Sequence, residues 1–137
     1  MKALIDTNLA ITYITGREDP YSEQTDRIME MCSKDRFEGY LAFHSLSVIW
    51  YLMRKVPMSL RRKAIKKLCE LLTLSGADNK TVLAANANTD FADFEDALQD
   101  CCAMTVYADY IVTANIKDYD CSIVQAVTPD EFLALFR

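Results

Sequence analysis

Short apolar runs alternate along the chain with segments of helical spacing, and most of these runs stop at an acid, an amide or a hydroxyl. Ala3-Leu4-Ile5 reads as a buried strand, and Asp6-Thr7-Asn8 supplies capping side chains for a helix over Leu9 to Thr15. Asp19-Pro20 places a cap and a first-turn proline before a helix reaching about Ser33. Gly39 to Phe43 is a second buried strand. Ser45 to Arg54 is a helix apolar on most sides and ended by Pro57, and another starts at Ser59 with Ile65, Leu68, Leu71 and Leu72 at helical spacing. These two helices are expected to form a hairpin. Thr81 to Ala84 is expected as a third strand, followed by polar residues Asn86 to Asp90 and a helix from about Asp93 to Tyr107. Tyr110 to Thr113 and Ile123 to Val127 complete the strands, and the capping box Thr128-Pro129-Asp130-Glu131 opens a last helix, Phe132 to Phe136. The alternation predicts a single α/β domain over residues 1–137, with a central parallel sheet of four to five strands flanked by helices on both faces.

Composition narrows the class. Of 137 residues, 51% are hydrophobic and 26% charged, which is the balance of a soluble globular domain. The longest uncharged stretch, Gly39 to Met53, is too short to span a bilayer, and Asp6 breaks the first apolar run before it could serve as a signal peptide. A cytoplasmic protein without a membrane partner is expected. The five cysteines show no C-x-x-C spacing and His44 is the only histidine, so a zinc site is not expected and all five thiols are read as reduced and mostly buried.

The acids carry the candidate chemistry: Asp6 beside Asn8, then Asp93, Glu95 and Asp96, then Asp109, then Asp118. Carboxylates so widely spaced, yet placed at strand ends and helix starts, point to one metal-binding cluster. In a parallel sheet the junction after Ile5 is where ligands bind, although capping a helix is the plainer account of Asp6 alone. Three glycines leave no room for a dinucleotide-binding or Walker-type loop, and Asn8 cannot act as the second acid of a haloacid-type phosphatase. Metal-assisted phosphodiester hydrolysis fits better. It needs several carboxylates converging on one or two Mg2+ or Mn2+ ions, which activate a water and offset charge in the transition state. A net charge of −5 argues against broad attraction to nucleic acid, unless bound cations reverse the local sign. The basic residues Arg54, Lys55, Arg61, Arg62, Lys63, Lys66 and Lys67 form a patch that could steer a phosphate backbone or simply solvate a helix face.

In order and spacing these motifs resemble the PIN domain, the fold of VapC-type toxin ribonucleases. The resemblance rests on Leu4-Ile5-Asp6-Thr7-Asn8, Phe94 to Gln99, Ala108 to Tyr119 and Val127 to Phe132. It implies a metal-dependent endoribonuclease with Asp6, Asp96 and Asp109 as catalytic metal ligands for Mg2+ or Mn2+. Asn8, Thr113, Asn115 and Asp118 would support those ligands, and Arg54, Arg61, Arg62 and Lys66 are the candidates for contact with an RNA substrate. A homodimer and a covering antitoxin protein are implied as well. For Asp93 and Glu95, favourable placement in the first turn of a helix is the simpler reading.

One position departs from the family. Relatives carry an acid on the helix after the second strand, where this chain has Val48, which can neither ligate a cation nor polarise water. Three outcomes stay open: the remaining aspartates suffice, another acid such as Glu38 or Glu95 reaches in, or the domain is catalytically degenerate and binds RNA or protein as a regulatory module. His44, one turn before Val48, is read as a structural histidine, and Tyr40, Trp50 and Tyr51 as packing residues rather than an RNA-stacking set.

Overall fold

A computed structural model describes residues 1–137. Five strands, β1 (Lys2–Ile5), β2 (Glu38–Ala42), β3 (Thr73–Ser75), β4 (Tyr110–Val112) and β5 (Gln125–Val127), form one parallel sheet in the order β3-β2-β1-β4-β5. Seven α-helices connect them: α1 (Thr7–Thr15), α2 (Ser22–Ser33), α3 (Phe43–Leu52), α4 (Met58–Leu71), α5 (Asn79–Ala87), α6 (Phe94–Thr105) and α7 (Pro129–Ala134), with a 3-10 helix over Ile116–Tyr119. β1 lies centrally, paired with β2 on one side and β4 on the other. The winding direction reverses between β1 and β4, where an open parallel sheet leaves a crevice at its carboxyl edge.

Both faces of the sheet are covered, which is why β1 is apolar and buried from Ala3 to Ile5. Leu9, Ile28, Met29, Ile49, Leu68, Val127 and Phe132 belong to one core, to which α1, α2, α3, α4 and α7 contribute. Leu4, Ala85, Ala97, Cys102, Ile111 and Tyr119 belong to the other, to which α5 and α6 contribute. Close approach is built in at Gly39, where a Cβ would meet Leu72 Cδ2 at 2.6 Å and Cys32 Sγ at 2.7 Å. At the end of the chain the expected capping box forms, with Thr128 Oγ1 accepting from the Glu131 N–H and the Glu131 carboxylate from the Thr128 N–H.

Some expectations change. Thr81 to Ala84 lies inside α5, because Asp78 Oδ1 accepts from Thr81 N at 2.9 Å and caps a helix that the following alanines continue. The third strand is instead Thr73–Ser75. α2 starts at Ser22, since Asp19 Oδ1 accepts from Tyr21 N and holds Asp19-Pro20 in a turn before it. α3 and α4 meet where Arg61 stacks on Trp50 with its guanidinium 4.3 Å from the ring centroid, and Trp50 is covered by this contact. Tyr51 is 62% exposed, so the packing reading fails for it. All cysteines are free, but only Cys32 and Cys102 are buried, while Cys69 and Cys121 are exposed. No helix is long and apolar enough to cross a membrane.

β5 is shorter than expected because Ile123 and Val124 give their N–H groups to a side chain instead of the sheet. Both donate to the Asp100 carboxylate at 3.0 Å, from α6. Asp100 is 3% exposed and pins the segment that follows the 3-10 helix. Asp100→Ala strands these donors, one of them buried, and should cost about 3 kcal/mol in chemical denaturation. A loss under about 1 kcal/mol would show that the tether contributes little.

Candidate functional site

Asp6 follows directly on β1 and occupies the N-cap position of α1, yet its side chain makes no capping hydrogen bond. Its backbone secures the junction: Asp6 N–H donates to Val112 O at 3.0 Å, and its carbonyl accepts from Leu9 and Ala10. The carboxylate is therefore free for another use. The residue is 7% exposed, and its Oδ2 accepts a 2.7 Å hydrogen bond from Thr113 Oγ1 at the carboxyl end of β4. Burial pushes the Asp6 pKa up, the Thr113 hydroxyl opposes this, and the charge of Asp118 adds to the rise.

The first turn of α6 brings further acids. Asp93 caps the helix, its Oδ1 accepting from Glu95 N at 2.9 Å, as its place at a helix start suggests. Glu95 is half-buried and faces Asp6 and Thr7, with its pKa raised by burial and then by Asp93 and Asp6. Asp96 is pushed up to about 7, first by burial and then by Asp93, Asp118, Asp6 and Glu95. Asp118, on the 3-10 helix, joins Asp93 and Asp96 around a cavity of about 310 Å3 that also holds Lys117 and Cys121. The ion pairs of the protein, Arg17 with Asp19, Lys34 with Glu30 and Lys66 with Glu70, all lie elsewhere. Asp93, Asp96 and Asp118 thus line one cavity, the charges of Asp6 and Glu95 act on Asp96 from beside it, and none of these acids is in an ion pair.

A buried polar floor supports this crevice. Thr7 Oγ1 and Ser45 Oγ are 2.7 Å apart, and Gln99 Nε2 donates to them at 2.8 and 3.2 Å, so α1, α3 and α6 are joined. The sequence alone does not mark these three residues for this role. Their only signals were hydroxyls or an amide on otherwise apolar faces, next to Asp6 and one turn after Asp96.

Other candidates lie apart. Asp109 sits at the amino edge of the sheet, where its Oδ2 accepts from Lys2 N at 2.8 Å and its own N–H donates to Lys2 O at 2.8 Å. The length of β1 separates it from Asp6 by about 13 Å, so it cannot share a metal with that residue. Asp118, not Asp109, lines the cavity beside Asp96. Glu38 is paired in register with Lys2 at the same far edge and accepts from Tyr40 Oη at 3.0 Å, so it does not reach in for Val48. Asn8 is exposed and places no side-chain hydrogen bond on Asp6; with Asn115, Arg17 and Asp19 it lines a cavity of about 270 Å3. Asn115 also donates its N–H to Thr113 Oγ1 at 3.0 Å, steadying the hydroxyl that holds Asp6. His44 Nε2 is buried without a partner, so the expected structural hydrogen bond is missing, and burial lowers its pKa. Arg54 lies over Tyr51, Arg61 over Trp50, Arg62 beside Leu46 and Ile65, and Lys66 against Glu70. None of these four lines the acidic cavity.

The donor set fits a hard divalent cation, being all oxygen, with Lys117 the one cationic side chain lining the cavity and none of the acids ion-paired. No group of three or more His, Cys, Asp or Glu side chains is drawn together as a finished cage. Mg2+ and its analogues are commonly held by one or two carboxylates with water and substrate phosphate completing the shell, which this arrangement accommodates.

Comparison with known proteins agrees with the fold. A sequence model of the PIN domain matches residues 2–117. The structure is similar to that of VapBC2 from Rickettsia felis bound to a DNA fragment from its promoter, with TM-score 0.68 and 16% identity over 93% of this chain and 98% of that one. It is also similar to VapC20 of Mycobacterium tuberculosis, a Sarcin-Ricin loop cleaving toxin, with TM-score 0.56 and 12% identity over 80% of this chain and 86% of that one. No curated protein matches in sequence.

The raised pKa of Asp96 has a defined consequence for stability. As pH rises above the unfolded value of 3.8, the unfolded chain gives up this proton while the fold keeps it until about 7, so stability falls across that window and levels off above it. Asp96→Asn should therefore raise the melting temperature of metal-free protein by roughly 3–6 °C at pH 8 and leave it unchanged near pH 4. Thermal melts across this range check it, and a pH-independent difference would refute the repulsion.

Proposed function

Because the chain belongs to the PIN domain family, we propose that it is a Mg2+- or Mn2+-dependent endoribonuclease whose carboxylates are Asp6, Glu95, Asp96 and Asp118. One observation carries this reading: Asp96 stands beside Asp93 and Asp118 in one cavity and under the charges of Asp6 and Glu95, and none of these acids is in an ion pair. Asp6 and Asp96 would hold the ion, with Asp118 at the rim. A bound divalent ion would activate the attacking water and offset charge on the phosphodiester as it is cleaved. Thr113 fixes the Asp6 carboxylate by its hydrogen bond, and the Thr7, Ser45 and Gln99 floor holds α6 against α1. Glu95 faces Asp6 and brings the crevice a carboxylate that Val48 cannot provide. For the RNA backbone, Arg17 and Lys117 line the adjoining cavities and are better placed than Arg54, Arg61, Arg62 or Lys66. Likeness to VapBC2 and VapC20 supports a toxin role, with an antitoxin protein covering the crevice and a homodimer as the working assembly.

Val48 favours a second reading, a degenerate domain that binds RNA or protein without cutting. Cleavage of a mixed RNA pool in Mn2+ separates the two. For the nuclease, wild type cuts, Asp6→Asn and Asp96→Asn lose about a hundredfold or more, Glu95→Gln loses about tenfold, and Asp109→Asn stays within about threefold. Silence in wild type with activity gained in Val48→Glu would sink the nuclease and establish the binding module.

A further inference from the structure

The cations of this chain are gathered on one hairpin. From Phe43, where α3 starts, to Leu71, where α4 ends, lie seven of its 15 Lys and Arg and only one of its 20 Asp and Glu, Glu70. Of the seven, Lys66 alone is ion-paired, with Glu70 at 3.7 Å. One face of α3 carries Leu46, Ser47, Trp50 and Tyr51 a turn apart, and Arg54 follows just past its end. The Arg54 guanidinium lies 4.4 Å from the centroid of the exposed Tyr51 ring. Arg61 lies likewise over Trp50, and its Nε, shut off from solvent, finds no acceptor. Beside this pair, Leu46, Ser47, Trp50, Arg62 and Ile65 line a cavity of about 500 Å3.

We propose that this hairpin is a docking surface for the flank of a single-stranded RNA, with one unstacked base in the cavity against Trp50 and phosphates on Arg54 and Arg62. This rests on the reading above only in taking RNA as the molecule bound. The crevice acids repel a phosphate strand, as does the chain's net charge of −5, so attraction has to come from cations that no carboxylate of the protein engages. Aromatic rings and guanidinium planes favour nucleic acid over an acidic protein segment, because they accept the flat faces of unpaired bases while the cations meet the backbone. A guanidinium already laid on a ring has lost much of its freedom, so less is given up when it meets a phosphate. The surface is near enough to serve the strand at the crevice: Ser45, on the crevice floor, and Trp50 share α3, roughly 8 Å apart along its axis. The hairpin thus holds the strand beside the crevice without touching the bond to be cut.

The test is fluorescence anisotropy of the full chain with a labelled single-stranded RNA pool in EDTA at several salt concentrations, so that affinity is read without metal and without cleavage. Arg54→Gln and Arg62→Gln combined should weaken binding about tenfold and lower the slope of log affinity against log salt by about 1.4, the share of two phosphate contacts. Tyr51→Leu should weaken it about fivefold with the slope unchanged, since a base stack carries no charge. Lys80→Gln, at an exposed cation on α5, should stay within about twofold. Equal affinity and slope in the double variant would overturn the docking surface and leave the nuclease reading to its own cleavage assay, and so would wild type that binds no RNA in EDTA. Displacement of the RNA by polyglutamate of matched charge would assign the surface to an acidic protein partner and overturn the proposal. Weakened binding in the variants, with no cleavage by wild type in Mn2+, would overturn the nuclease and keep the hairpin as an RNA surface.

Discussion

Repulsion between carboxylates that the protein does not neutralise is the constraint around which the rest is arranged. Burial first, and then the charge of neighbouring acids, raises the proton affinity of Asp6, Glu95 and Asp96. Such a cluster opposes folding and persists only where the surrounding structure overrides it. Here the override comes from elements that are rigid for other reasons: β1 at the centre of the sheet, α6 pressed on one face, and the hydrogen-bonded floor of Thr7, Ser45 and Gln99 between them.

The same arrangement explains why the acids come from such separate stretches of sequence. In a parallel sheet every strand ends at the same edge, so residues that follow strands are gathered while residues that precede them are sent to the far side. Asp6 and Thr113 follow β1 and β4 and meet; Asp109 and Glu38 stand at the starts of β4 and β2 and face Lys2 instead. Asp96 and Asp118 belong to a helix and a 3-10 helix that pack against each other.

Much of this could be read from residues alone, and the failures have physical causes. Leu4-Ile5 before Asp6 and the box at Thr128 are local signals whose effect does not depend on distant parts of the chain, and both hold, whereas Asp93, read as an acid of the first turn, is the cap one residue before it. Thr81 to Ala84 was misread because a short run with a β-branched residue and a leucine looks like a strand until the cap at Asp78 is weighed. Asp109 was misassigned by treating an acid before a strand like an acid after one, although the parallel rule separates them. Gln99 carries no such local signal, because an amide within a helix gives no sign of where its side chain points.

The hydrogen bond between Thr113 and Asp6 spans 107 positions of sequence. Its two ends are joined only after β4 has taken its place beside β1, a pairing with a high loop-closure cost that forms slowly relative to local helices. During synthesis, Asp6 leaves the ribosome long before its partners, and for that interval the acid is an ordinary solvated side chain. Competence at this crevice is therefore delayed by topology until synthesis has passed Thr113 and Asp118.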